Sequence, residues 1–120
     1  MAKFSKYQRL PSAEHQKVLL ELCHALVVVK KLEEAANLLI DLFSKQELEM
    51  VAKRLKIAKL LVKGYTYEKI RNELKVSQQT IARVNGWLDQ SGAGYRLIIQ
   101  RDRDMTVPSW QPFRSLLAAS

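Results

Sequence analysis

Residues 66–88 read TYEKIRNELKVSQQTIARVNGWL and contain two short amphipathic segments with very little chain between them. Each segment follows a residue with a favourable N-cap side chain, Thr66 in the first and Ser77 in the second. Apolar residues then recur at intervals of three or four, the period of one buried helix face. We therefore expect two helices joined by a tight turn that Val76 plugs. Their inward-facing residues are Tyr67, Ile70 and Leu74 in the first helix and Ile81, Val84 and Leu88 in the second.

Two helices joined this closely must cross steeply over one small apolar patch, which is typical of a helix-turn-helix. The alternative is an ordinary helical hairpin inside an all-α domain. In a helix-turn-helix, the first turn of the second helix is exposed and can hydrogen-bond DNA base edges and phosphates. The residues predicted to do so are Ser77, Gln78, Gln79, Thr80 and Arg83.

Positive charge is concentrated around this motif. The chain has a formal net charge of +8, and residues 53–83 hold nine lysines and arginines against Glu68 and Glu73, whereas residues 18–52 sum to −3. A basic segment of this kind favours a polyanion as partner, with a solvated helix face as the alternative. Together with the motif, it predicts binding to double-stranded DNA. The lysines predicted to contribute are Lys53, Lys56, Lys59 and Lys69.

The helix before the motif has the best local start signal in the chain. Ser44 and Glu47 have the spacing of a capping box, and Phe43 and Leu48 that of a hydrophobic staple. Helical periodicity then continues until Gly64, a suitable residue for the position after a helix end.

Two further helices are expected before it, at about residues 12–30 and 32–43. Residues 18–29, VLLELCHALVVV, are apolar almost all the way round, and a small isolated domain cannot bury such a helix on every side. The pattern predicts a homodimer in which helices of two chains surround each other.

Bulk composition narrows the remaining classes. A chain of 120 residues with 48% hydrophobic residues fits one globular domain. Residues 18–29 are too short and too interrupted to span a bilayer, no secretory signal is visible, and Cys23 has no cysteine to pair with. We therefore expect a cytoplasmic protein without membrane association. No catalytic constellation or cofactor motif is visible, and His15 and His24 lack the spacing of a metal site, so we expect neither an enzyme nor a metalloprotein.

Residues 38–88 resemble the Trp repressor family, and in particular its YerC/YecD branch. The capped helix is in register with R-x-x-I at 54–57, NEL at 72–74 and T-I-x-R at 80–83, with one apparent single-residue deletion near Tyr65. The resemblance implies an all-α, Trp-repressor-like helical domain that forms an intertwined dimer with a helix-turn-helix on each flank. Glu68 stands where tryptophan-sensing relatives have an arginine that reaches DNA, so we expect a different operator.

The resemblance also implies an effector pocket. In tryptophan-sensing members the indole lies between two arginines, whose positions are Arg54 and Arg83 here. The amino group is held by the chain before the third helix, which corresponds to Asp41, Phe43 and Ser44.

Two positions depart from that pocket. Val84 replaces the glycine that gives the ring room, and Trp87 replaces a small serine. These larger side chains should fill the space of the indole, so we expect no tryptophan binding. They could act as a built-in surrogate that locks the reading helix in its active pose, or they could adapt the pocket to another ligand.

After Leu88 the likeness ends. A Gly-rich break at 92–94 precedes YRLIIQ, whose composition favours a strand, and then an extended TVPSWQPF. We therefore divide the chain into a helical dimerisation and helix-turn-helix domain, residues 1–91, and a C-terminal extended arm, residues 92–120. The arm is expected to pack on its own dimer, or alternatively to dock another protein through Trp110 and Phe113.

The sequence thus predicts a sequence-specific DNA-binding transcriptional regulator, a repressor, that tryptophan does not gate. The alternative is a protein-interaction adaptor that presents the basic helix pair and the arm to an acidic partner.

Overall fold

The computed structural model describes residues 9–102, 111–114 and 116. Among these residues there are six helices and no strand, which confirms the all-α class. They are α1 (Ser12–Val28), α2 (Leu32–Leu42), α3 (Lys45–Val62), α4 (Tyr67–Leu74), α5 (Gln78–Gln90) and α6 (Ala93–Arg101). The chain divides into two compact units, one ending at Leu39 and the other beginning at Ile40. No helix in the described part of the chain has both the length and the hydropathy that a bilayer span requires.

The first unit contains α1 and most of α2. No residue of α1 is buried, although the helix is largely apolar, and Val27 is 79% exposed. The start of α2 is fixed by Glu34, whose Oε1 accepts hydrogen bonds from the backbone N–H groups of Lys30 (2.9 Å) and Lys31 (3.3 Å). These bonds satisfy donors that a helix N-terminus otherwise leaves unpaired.

The second unit begins with a helix whose two ends are specified by local sequence. Ser44 Oγ accepts from the Glu47 N–H, and Glu47 Oε1 accepts from the Ser44 N–H, so the predicted capping box of α3 is confirmed. At the other end Gly64 has φ +90° and the Tyr65 N–H donates to the Leu60 carbonyl. This is a Schellman motif, and it needs a residue that tolerates positive φ.

The core of this unit lies between α3, α4 and α5. Ile70, Ile81 and Val84 are almost completely buried, as the helical spacing in 66–88 predicts, and Val76 packs against them from the turn. Burying each such side chain contributes about 1.5–3 kcal/mol. The residues of the core cluster are Ile57, Ala58, Leu60, Ile70, Ile81, Val84 and Leu88.

The expectation of a strand after residue 92 is wrong, because residues 93–101 form helix α6. Gly92 has φ +59° and turns the chain, after which Tyr95 and Ile99, one helical turn apart, pack against the core cluster. No strand in the described residues is available to pair with YRLIIQ, whereas the helix packs two partly buried apolar side chains against the core cluster. The first part of the predicted arm is therefore a packed helix.

Most of the rest of that arm lies outside the described residues. Within TVPSWQPF, residues 106–110, including Trp110, lie outside the described residues. Pro112 and Phe113 lie in a turn rather than in extended chain, and the Arg114 N–H donates to the Gln111 carbonyl at 3.3 Å.

Candidate DNA-binding surface

The connection between α4 and α5 is three residues long and is sharply bent. Lys75 takes a left-handed conformation (φ 56°, ψ 48°), and its N–H donates to the Arg71 carbonyl, which ends α4. Ser77 is in extended conformation, and α5 begins immediately after it. The left-handed residue lets the chain change direction within so few residues.

The first turn of α5 is exposed but not all of its polar groups are free. Ser77 Oγ accepts from the Thr80 N–H (3.1 Å), and the two hydroxyls lie 2.9 Å apart in a second hydrogen bond. The hydroxyls of Ser77 and Thr80, both predicted to contact DNA, thus take part in capping α5. Gln78 and Gln79 are exposed, and within the described residues neither side chain hydrogen-bonds to the protein. The two glutamines are thus the groups best placed to bond a ligand here.

The predicted basic residues differ in how freely they offer their charge. Lys56 on α3 and Arg83 on α5 are exposed, and Lys53 is half-buried. Lys69 on α4 is exposed and its Nζ lies 4.5 Å from the centre of the Tyr65 ring, a cation–π contact that leaves the charge accessible.

Lys59 is held by an ion pair. Its Nζ lies 3.4 Å from Asp102 Oδ2, just after the end of α6, and the two side chains are only 25% and 28% exposed. Asp102 offsets much of the positive charge that Lys59 would present to a phosphate. The sequence separation of 43 residues explains why sequence analysis missed this pair.

Among the predicted effector-pocket residues, the structure brings together Arg54 and Trp87. The guanidinium carbon of Arg54 lies 5.4 Å from the centre of the Trp87 ring, within cation–π range. Trp87 is 37% exposed. Its indole therefore occupies one side of the Arg54 side chain.

The other pocket residues do not join that contact. Val84 is 1% exposed and belongs to the hydrophobic core, while Arg83 is exposed. Phe43 is half-buried and Ser44 is engaged in the capping box, ten residues or about 15 Å of helix before Arg54. Within one chain, then, Phe43 and Ser44 lie at the start of α3, whereas Arg54 lies in its middle and contacts Trp87 of α5.

Trp87 also borders an open groove that the sequence did not reveal. The groove has a volume of about 650 Å³ and is lined mainly by apolar side chains and by the turn before α6. The residues around it include Leu55, Trp87, Gly92, Ala93, Tyr95 and Ile98. No three His, Cys, Asp or Glu side chains in the described ranges cluster in a way that could hold a metal ion.

Comparison with known proteins gives one consistent answer. The family described as Trp repressor protein matches residues 17–103. The uncharacterized protein YerC of Bacillus subtilis is 32% identical over 89 residues, which cover 74% of this chain and 86% of YerC. A crystal structure of a candidate Trp repressor from Staphylococcus aureus has a TM-score of 0.70 and 30% identity, and the match covers 82% of this chain and all of that one.

Proposed function

This chain belongs to the Trp repressor family of DNA-binding regulators, and from that premise we propose that it is a homodimeric, sequence-specific repressor of transcription that does not require tryptophan. The family consists of regulators rather than enzymes, so the expectation of a non-enzyme is confirmed. We further propose that it acts in the cytoplasm, as a DNA-binding regulator of this family would.

The observation that carries the proposal is the exposed first turn of α5. Gln78 and Gln79 stand in that turn with no internal hydrogen-bond partner in the described chain, at the position where the second helix of a helix-turn-helix reads base edges. A glutamine amide both donates and accepts, which matches the N6 and N7 edge of adenine. Buried Ile70, Ile81 and Val84 pack α4 and α5 onto the rest of the unit, so Gln78 and Gln79 are presented from a well-packed helix.

The charge around α5 supports a nucleic acid as the partner. Lys56, Lys69 and Arg83 are all exposed within the segment of net charge +7. Phosphate contacts from such residues supply affinity for any DNA sequence, and the glutamines would add the sequence dependence.

The apolar surface of α1 supports the homodimer. Seven large hydrophobic side chains on this one helix are at least 42% exposed in the single chain, far more than a soluble monomer usually leaves in one place. A second copy of the same helix is the simplest cover for them, because an isologous dimer buries the same patch twice. The exposed residues are Val18, Leu19, Leu20, Leu22, Leu26, Val27 and Val28.

Trp87 and Val84 support the proposed independence from tryptophan. Trp87 already lies within cation–π range of Arg54, and Val84 is buried in the hydrophobic core. An added indole between Arg54 and Arg83 would have to displace the ring of Trp87, which would forfeit that contact.

Selection of bound sequences from random DNA tests the proposal. The expected result is one family of near-palindromic sites bound without tryptophan, since two reading helices of a dimer lie about one DNA turn apart, roughly 34 Å. A protein-interaction adaptor would instead give weak enrichment of no particular sequence. Salt dependence alone does not discriminate, because phosphate contacts produce it for any DNA.

A further inference from the structure

The side chain of Arg96 ties α6 to the far end of α5. Its Nη2 donates to the Leu88 carbonyl at 3.1 Å. Leu88 lies in the last turn of α5, where backbone carbonyls have no partner within the helix and carry the negative end of the helix dipole. A guanidinium is a strong donor to such a carbonyl, so the bond is worth more than a neutral one.

The turn between α5 and α6 is tight and keeps the two helix ends close together. Gly92 approaches Leu88 so closely that a Cβ added there would lie 2.9 Å from the Leu88 Cα and carbonyl oxygen. The left-handed Gly92 therefore brings the start of α6 directly onto the end of α5.

Helix α6 is in turn fixed to α3. Tyr95 and Ile99 pack against the core cluster, and Asp102 pairs with Lys59 of α3 at 3.4 Å. Helix α5 is thus joined to α6 by Arg96, and α6 is joined to α3 by the Asp102–Lys59 pair.

We propose that Arg96 is a positioning residue for DNA recognition, which sets the direction of α5 through its bond to the Leu88 carbonyl; this inference rests on the function proposed above. Gln79 lies nine residues before Leu88 on the same helix, a distance of roughly 14 Å. Core packing of Ile81, Val84 and Leu88 seats α5 on the unit, and the Arg96 bond adds a further constraint on its direction. Without that constraint, a rotation of about 10° about the Leu88 end would move Gln79 by roughly 2 Å, more than a hydrogen bond to a base edge tolerates. Phosphate contacts from flexible lysines tolerate such a shift.

The experiment compares Arg96→Met with Arg101→Met in the full-length protein. Both variants remove one positive charge from α6, but Arg101 is exposed in the last turn and makes no bond to α5. Affinities for the selected operator and for random DNA are measured across salt concentrations, with thermal melting to monitor folding. Arg96→Met should lose about tenfold or more in operator affinity, the scale of one charged hydrogen bond. Its random-DNA affinity and salt slope should match those of Arg101→Met.

Arg96→Lys supplies the rescue, because a shorter cation can still donate to the Leu88 carbonyl. It should recover most of the operator preference. The inference is overturned if Arg96→Met keeps the operator preference of the wild-type protein, or if operator and random DNA weaken together. A lowered melting temperature with an unchanged operator preference likewise shows a purely structural role and overturns it. If the wild-type protein itself prefers no sequence, the proposed function fails first and this inference fails with it.

Discussion

The Arg54 guanidinium carbon lies 5.4 Å from the centre of the Trp87 ring, so α3 and α5 are joined by a cation–π contact at their surface. Such contacts contribute about 0.5–1 kcal/mol at exposed sites. The contact adds to the buried packing of Val84 one turn earlier on α5. Helix α5 thus has an internal aromatic ring beside Arg54, where the resemblance implies that tryptophan-sensing relatives admit an external one.

The first prediction separates base reading from charge. Gln79→Ala should weaken operator binding by about 1–3 kcal/mol and relax preference at one base position in each half-site, because it removes a base-edge contact. Lys56→Ala should weaken all sequences alike and lower the salt slope by about one. Binding assays on operator and random DNA check both. Equal losses on the two DNAs for both variants would refute the assignment of Gln79.

A related prediction concerns Lys59, whose Nζ pairs with Asp102. Because this ion pair already offsets its charge, Lys59→Ala should reduce DNA affinity less than Lys56→Ala does. Asp102→Asn should raise affinity for random DNA, since it leaves the Lys59 charge unbalanced. The same salt titrations measure both effects. A loss in Lys59→Ala as large as in Lys56→Ala would show that Lys59 leaves Asp102 to contact a phosphate.

The dimer prediction is tested on α1. Sedimentation at low concentration should show no compact monomer of 13.8 kDa, because a lone chain leaves the apolar face of α1 in water. Leu26→Asp should disrupt assembly by placing a carboxylate in the interface. Gln16→Asp, which adds a carboxylate to a polar position of the same helix, should leave the dimer intact. A folded wild-type monomer would contradict the proposal.

Two nearby glycines give a stability prediction with its own control. Gly92→Ala should destabilise the protein by more than about 1 kcal/mol, because Gly92 has φ +59° and an added Cβ would meet Leu88 backbone at 2.9 Å. Gly94→Ala should be neutral or stabilise by about 0.4–1 kcal/mol, since its Cβ meets nothing within 4 Å inside a helix. Melting at one fixed protein concentration compares them, because the stability of a dimer depends on concentration. A Gly92→Ala protein as stable as wild type would contradict the tight turn.

The features that the sequence predicts correctly are those that depend on residues close together in the chain. The caps at Ser44, Thr66 and Ser77 depend on residues three positions away, and all three were predicted correctly. Helix α6 was not, because the composition of YRLIIQ favours a strand while the packing of Tyr95 and Ile99 on distant helices decides the outcome.

The candidate site likewise combines features that the sequence predicts with contacts that it does not predict. Exposed Gln78 and Gln79 follow from helical periodicity, since they precede the first inward position of α5. The mutual bond of Ser77 and Thr80 depends on side-chain rotamers that a residue pattern does not specify. The Lys59–Asp102 ion pair depends on where α6 ends, which the incorrect strand prediction concealed.

The last prediction concerns tryptophan. If Trp87 and Val84 fill the space of the indole, operator binding should proceed without tryptophan, and millimolar tryptophan should change neither operator affinity nor melting temperature. A ligand at about 100 times its dissociation constant that binds only the folded protein adds about 2.7 kcal/mol, which a thermal shift detects. An upward shift that disappears in Arg54→Ala would therefore show that tryptophan binds at Arg54 and would favour a tryptophan-gated repressor.

The double change Val84→Gly with Trp87→Ser tests the same idea in the opposite direction, by reopening the space of the indole. It should lower stability by at least the roughly 1 kcal/mol cost of a helical glycine and by the cavity left in the core. It should also gain a tryptophan-dependent thermal shift, and Arg54→Ala in the same background should remove that shift. A double variant that folds and remains indifferent to tryptophan would show that more than these two side chains closes the site.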